Sequence, residues 1–202
     1  MIKLYPKLYE DTLVGRIRRL VGFPRQDPNE IADMLRPEYQ GDYSLLNLVH
    51  GSEATISTSE SQRPVIGSVG MGPCVAMAGY DSNQKVGFVS HNGVGDYVGA
   101  LHELVLEELK KKSKSELEMD IYIVGGMIGS GELALRLRNI ARENFNPRTI
   151  NDDLALNVSE WTYLGKSFLL DVRDGKVYSI NGGGQLKYVP PAEPRISLRK
   201  WT

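Results

Sequence analysis

The sequence predicts an α+β fold: a largely antiparallel or mixed sheet system with two main helices against it, preceded by a helical N-terminal extension. Three observations carry this expectation. Apolar runs at Cys74–Tyr80 and Lys85–Ser90 flank a polar turn at Asp81–Gln84, which is the pattern of a hairpin with a longer loop. Two segments place apolar residues at helical spacing, Val98, Leu101, Val105 and Leu109 in one and Leu133, Leu137, Ile140 and Ala141 in the other, with strand-like runs between and after them. Asp174-Gly175 joins the apolar runs Lys166–Val172 and Val177–Ile180, and Asp-Gly tolerates the positive φ that tight hairpin turns need.

At 202 residues the chain fits one ordinary domain, or a domain with an appendage. Its 41% hydrophobic and 24% charged content is that of a water-soluble globular chain able to bury a core. A net charge of −1 with both signs scattered argues against a nucleic-acid partner or an anionic membrane surface. One cysteine excludes an internal disulfide framework and suits a reducing compartment. No basic-then-apolar leader and no apolar run near 18 residues is present, so the expectation is a cytoplasmic protein with no membrane span.

Residues 1–50 read as helical. Leu13, Ile17, Leu20 and Val21 fall at helical spacing, with Arg16, Arg18 and Arg19 on a solvated face. Asp27-Pro28-Asn29-Glu30 is a helix start, with a capping carboxylate, proline at the first helical position and Glu three residues after the cap. A further helix is expected over Tyr43–Val49, ending at His50 and Gly51, with His50 beside the C-terminal dipole. Residues 51–64 are rich in Ser and Thr and read as a surface linker with an extended piece at Ala54–Ser57. The division expected is therefore 1–63 as extension and linker, packed on a domain spanning 64–202.

After the hairpin, Asn92-Gly93-Val94-Gly95-Asp96 reads as a glycine-rich turn, with Asp96 capping a helix over Tyr97–Lys111. His102 lies next to that helix's apolar stripe and reads as a boundary residue without a role. Lys110, Lys111, Lys112 and Lys114 sit at the helix C-terminus, where cations favour the dipole. Asp120–Val124 is a strand leading into Gly125-Gly126-Met127-Ile128-Gly129-Ser130-Gly131. That loop lacks the Gly-Lys-Ser/Thr ending and the dinucleotide spacing, so it reads as a tight turn with Ser130 at the N-cap of a helix over Glu132–Asn144. Thr149–Val158 reads as a strand, and the tail from Asn181 onward as loop. One Cys and three separated His give no metal site of usual spacing, and no cofactor motif is present.

The chemistry-bearing residues sit in the first hairpin. If Tyr80 pairs with Lys85, counting outward sets Cys74 directly opposite His91, at a Cβ separation of about 4.5–5.5 Å on one face. A thiol and an imidazole at that spacing can share a proton, which makes a nucleophile of the sulfur. The competing reading is a buried thiol that only packs.

Ser68-Val69-Gly70-Met71-Gly72-Pro73-Cys74-Val75-Ala76, then Tyr80-Asp81, Gly87 and His91, resembles the CheD family of chemoreceptor glutamine deamidases. That family carries a Thr, a Leu-Gly-Ser-Cys-Val-Ala turn, a Tyr-Asp and a downstream His at matching spacing. The likeness continues patchily through Asp96, the helix Val98–Leu109, the Ile121–Met127 segment with its Gly-Gly, and the stretch from Leu164 to Val177. It implies a β-sandwich flanked by helices, and a protein substrate carrying a target glutamine, chemoreceptor-like, with no cofactor. It also implies Cys74 as nucleophile, His91 as acid and base, and Ser68 in the place of the family's Thr as the residue orienting His91. Gly70, Met71 and Gly72 then form a flexible loop whose backbone N–H groups approach the oxyanion. The departures are Ser68 for Thr, the N–H-less Pro73 just before the nucleophile, and the first 60 residues, which have no counterpart in the family. Three other readings stay open: an inactive CheD-like module that binds a partner, an amidase acting on a terminal asparagine or a small amide, and a structural accessory protein.

Overall fold

The computed structural model describes residues 3–4, 45–49, 51–93, 98–126, 130–152, 166–180 and 186–189. In chain order the strands are β1 (Lys3–Leu4), β2 (Leu46–Val49), β3 (Glu53–Thr58), β4 (Val65–Met71), β5 (Val75–Asp81), β6 (Val86–Asn92), β7 (Met119–Gly125), β8 (Pro147–Asn151), β9 (Lys166–Asp171), β10 (Lys176–Ile180) and β11 (Leu186–Val189). The helices among the described residues are α1 (Val98–Lys112) and α2 (Gly131–Asn144). One sheet has the order β1-β3-β6-β5-β7-β8 and the other β11-β10-β9-β4-β2. Both are mixed, because β7 with β8 and β2 with β4 run parallel while the remaining pairs are antiparallel. The fold is α+β, as the sequence predicts.

Strand alternation sorts the side chains into two cores. Ala76, Ala78 and Tyr80 of β5, Val89 of β6 and Tyr122 and Val124 of β7 pack against Val49, Ile66, Phe168 and Leu170 of the facing sheet. Their neighbours in the chain, Val75, Met77, Phe88, Ile121 and Ile123, point to the other side and meet Val98, Leu101, Val105 and Leu109 of α1 and Leu133, Leu137 and Ala141 of α2. The result is three layers, with the six-stranded sheet in the middle. Covering on both faces is why β5, β6 and β7 read as nearly continuous apolar runs and not as alternating ones.

The hairpin forms, with its loop one residue later than the sequence reading placed it. Asp81 ends β5, and its Oδ1 accepts from the backbone N–H of Asn83 at 2.8 Å and of Gln84 at 3.0 Å. Lys85 closes the turn with φ 50°. Tyr80 therefore pairs with Gly87 and Asp81 with Val86, correcting the expected Tyr80–Lys85 pair. An aspartate that bonds to the N–H two residues ahead nucleates the turn after itself.

Within 1–63, the described residues 45–49 depart most from expectation. Leu46–Val49 is a buried strand in one sheet, correcting the helix expected over Tyr43–Val49, and Glu53–Thr58 is a full strand of the other. The buried Asn47 Nδ2 donates to Thr55 Oγ1 at 2.5 Å, bridging the two sheets. The division expected between 63 and 64 thus falls between two strands, and within 51–64 the extended piece expected at Ala54–Ser57 is the strand Glu53–Thr58, with the partly exposed loop 59–63 after it. Helical spacing at 13–21 and the helix start at 27–30 lie outside the described residues, as do His50 and Asp96. In the tail, Leu186–Val189 pairs with β10, where loop was expected.

His102 is likewise no boundary residue. It is 0% exposed, between α1 and the middle sheet, with its ring edge-on to Phe88 at 6.4 Å and to Phe145 at 6.2 Å. Nδ1 donates to the Val98 carbonyl at 2.7 Å, and Nε2 lies 2.9 Å from Ser90 Oγ. Burial lowers its pKa from 6.5 to about 4, against the raising effect of the Val98 hydrogen bond. Between those two values the unfolded chain binds a proton that the folded one refuses, so stability falls as pH drops through this window. Above it the group contributes no pH dependence. The whole loss is about 3 kcal/mol. Urea midpoints measured at pH 7 and about pH 4.5 should therefore differ more for wild type than for His102→Gln, and equal differences would remove the ring from this role.

Candidate active site

Two strands from different sheets bring Ser68 and His91 together. Ser68 follows Ile66 by one alternation on β4 and so points toward the middle sheet; His91 follows Val89 on β6 and points back. Ser68 Oγ lies 2.7 Å from His91 Nδ1 and 3.2 Å from the Val49 carbonyl oxygen. Ser68 is 0% exposed and His91 5%. The Val49 carbonyl arrives because β2 pairs in parallel with β4, Val49 beside Ser68.

A hydroxyl has one proton, and a carbonyl can only accept. The arrangement in which both contacts are hydrogen bonds has Ser68 donating to Val49 and accepting from the Nδ1–H of His91. In the neutral ring Nε2 is then the unprotonated nitrogen, the form in which an imidazole acts as a base.

Cys74 does not pair with His91. The later loop moves the register by two, so Ala76 faces His91 and Val75 faces Asn92. A shift of two preserves side-chain parity. Cys74 immediately precedes β5; were the alternation of the strand to extend one residue past Val75, Cys74 would share the face of Ala76 and His91 as a diagonal neighbour. Such neighbours are about 7–8 Å apart at Cα and within reach of side chains. Cys74 is half-buried.

Of the expected oxyanion loop, Gly70 and Met71 are instead the last residues of β4, with a register shift between Ser68 and Met71 against β9. Met71 is buried in the sandwich core, so its side chain takes no part in the site. Only Gly72 lies in the turn, where a Cβ would meet nothing within 4 Å. The approach to Cys74 comes from the other glycine pair. Gly125 and Gly126 have φ of +98° and +86°, conformations that side chains resist, and the Gly126 N–H donates to the Cys74 carbonyl at 2.9 Å. Ser130 stands at the N-cap of α2, as expected, yet makes no capping bond. Its hydroxyl donates to the Pro73 carbonyl at 2.8 Å instead, forgoing a cap typically worth about 1 kcal/mol.

The chain matches no protein-family model and no curated protein.

Among the described residues no group of three or more His, Cys, Asp or Glu could hold a metal ion, and no helix is long and apolar enough to cross a membrane. Sequence reasoning missed two participants. Val49 contributes a backbone carbonyl, which no side-chain motif announces. Asn92 was read as part of a turn because Asn-Gly is a turn signal; it ends β6, fully buried, and its Nδ2 donates to the Val75 carbonyl at 3.0 Å.

Proposed function

We propose that this chain is a cysteine-dependent protein glutamine deamidase of the CheD-like kind. The observation that carries the reading is the buried Ser68–His91 bond, with Cys74 immediately before the strand whose Ala76 faces His91. Histidine held through Nδ1 by a hydroxyl, which is itself held by a carbonyl, is an oriented base beside a thiol, the nucleophile–base–orienter arrangement of covalent catalysis. In this reading His91 Nε2 takes the Cys74 proton and the thiolate attacks the side-chain amide carbon. The tetrahedral intermediate collapses as the imidazolium protonates the departing nitrogen, releasing ammonia and leaving a thioester. Water, deprotonated by the same nitrogen, cleaves the thioester to glutamate and free thiol. The likeness to CheD supplies glutamine and a protein substrate; the residues supply the amide-splitting chemistry. A reducing cytoplasm fits a reaction that needs its single thiol free.

The test is incubation of wild type and Cys74→Ala with a cell lysate, mapping Gln-to-Glu conversions by mass spectrometry. Conversion of defined protein glutamines by wild type alone is the expected outcome. Cys74-dependent ammonia release from free glutamine or asparagine, with no protein converted, would replace this reading with a small-molecule amidase.

A further inference from the structure

Three consecutive carbonyls around the thiol each accept a hydrogen bond from a different element. Pro73 accepts from Ser130 Oγ at 2.8 Å, Cys74 from the Gly126 N–H at 2.9 Å and Val75 from Asn92 Nδ2 at 3.0 Å. A peptide unit is planar, with its C=O and N–H pointing opposite ways. Pinning the Pro73 carbonyl therefore also fixes the direction of the Cys74 N–H, and pinning the Cys74 and Val75 carbonyls fixes the rotation of the two peptides that follow. With φ of Pro73 held by its ring, little backbone freedom is left at the residue bearing the sulfur.

Two of these bonds are what a strand of this sheet would make anyway or nearly so: Gly126 continues the β5–β7 ladder, and Asn92 is the register partner of Val75. Ser130 is different. It comes from the far side of the β7–α2 loop, and a cap serine would ordinarily spend its oxygen on its own helix. A Cβ at position 126 would lie 3.0 Å from the Ser130 Cβ, so the glycine there is what lets the serine in.

We propose that Ser130 is a positioning residue for Cys74: its hydroxyl, by holding the Pro73 carbonyl, sets the direction in which the thiol and its own N–H are presented to substrate and to His91. The inference rests on Cys74 being the nucleophile. Ser130 touches no reacting atom; it acts through the Pro73–Cys74 peptide. Misplacing a reacting group by about 1 Å can cost on the order of 10²-fold, so loss of the hydroxyl should be visible even if the backbone shifts by less.

Iodoacetamide alkylation of Cys74 in the folded full chain tests both levels without needing the natural substrate. Wild type should react faster than a free thiol at neutral pH, where an unassisted cysteine is mostly protonated. Ser130→Ala should slow alkylation by about tenfold or more with the urea midpoint nearly unchanged, and Ser130→Thr, which keeps the hydroxyl, should restore the wild-type rate. Ser130→Gly provides a second hydroxyl-free chain, since glycine is tolerated at an N-cap, should the alanine variant fold poorly. Wild-type rates in folded Ser130→Ala or Ser130→Gly overturn the positioning role while leaving Cys74 as nucleophile. A wild-type rate no faster than that of a free thiol overturns both.

Discussion

Replacing His91 by asparagine is expected to cut the Cys74-dependent rate by about 10²–10⁴-fold, the range contributed by a positioned acid–base group. Asparagine is the replacement to use because its amide nitrogen can occupy the place of Nδ1 and still donate to Ser68 Oγ, so the buried hydroxyl keeps a partner. What it cannot supply is a nitrogen at the Nε2 position. The informative measurement is a cycle with Ser68. In wild type, Ser68→Ala should slow turnover and leave the fold intact, and Ser68→Thr should restore it. In the His91→Asn chain, Ser68→Ala should have almost no further effect on rate, because the serine acts only through the imidazole. Equal effects of Ser68→Ala in both backgrounds would mean that the 2.7 Å bond is structural.

Phe88→Ala is expected to cost about 3–5 kcal/mol of folding stability, the range for deleting a fully buried aromatic ring. Phe88 is 0% exposed at the centre of the helix-side core, stacked on Phe145 at a centroid distance of 5.0 Å. It also covers its cross-strand partner Gly79, where a Cβ would lie 2.4 Å from the Phe88 ring. The two positions are thus one packing unit. Gly79→Ala alone should destabilise by forcing the ring aside. In a Phe88→Leu background the same methyl meets a smaller neighbour, and its cost should shrink. Chemical denaturation of the four chains reads the coupling directly, and additive costs would mean that the ring and the glycine do not share the space.

The apolar runs of β5, β6 and β7 and the stripes of α1 and α2 were legible because burial on fixed faces imposes periodicity on the sequence. The Ser68–His91 approach followed from the family likeness, and the structure brings those two side chains together. What the sequence hid has physical causes. Leu46–Val49 is too short to distinguish a buried strand from one turn of helix by pattern, and only its parallel pairing with β4 settles the matter. The hairpin register turned on whether Asp81 lies inside the turn or just before it. That depends on its hydrogen bonds to Asn83 and Gln84, and also to the distant Glu118 N–H at 3.0 Å. Leu186–Val189 follows a glycine run that reads as loop, and a strand at a sheet edge leaves a weak signature. The role of Val49 is carried by a main-chain oxygen and leaves no trace in residue type.

Two hydrogen bonds cross the gap between the sheets close to one another in the chain: Asn47 to Thr55, and Ser68 to His91. The first joins β2 to β3, and β2 also delivers the carbonyl that orients the second. The docking of this short strand therefore places the carbonyl to which Ser68 donates, and with it favours a His91 that donates through Nδ1. If the proposed reading holds, activity depends on a backbone group in direct contact with Ser68 as well as on the three proposed side chains. Substitutions within Leu46–Val49 can retune proton transfer, or silence it, by nudging one backbone oxygen, while Ser68, Cys74 and His91 all remain in place. Under the proposed reading, variants that keep all three residues but differ in that strand are expected to differ in rate, a difference that comparing those three side chains alone would miss.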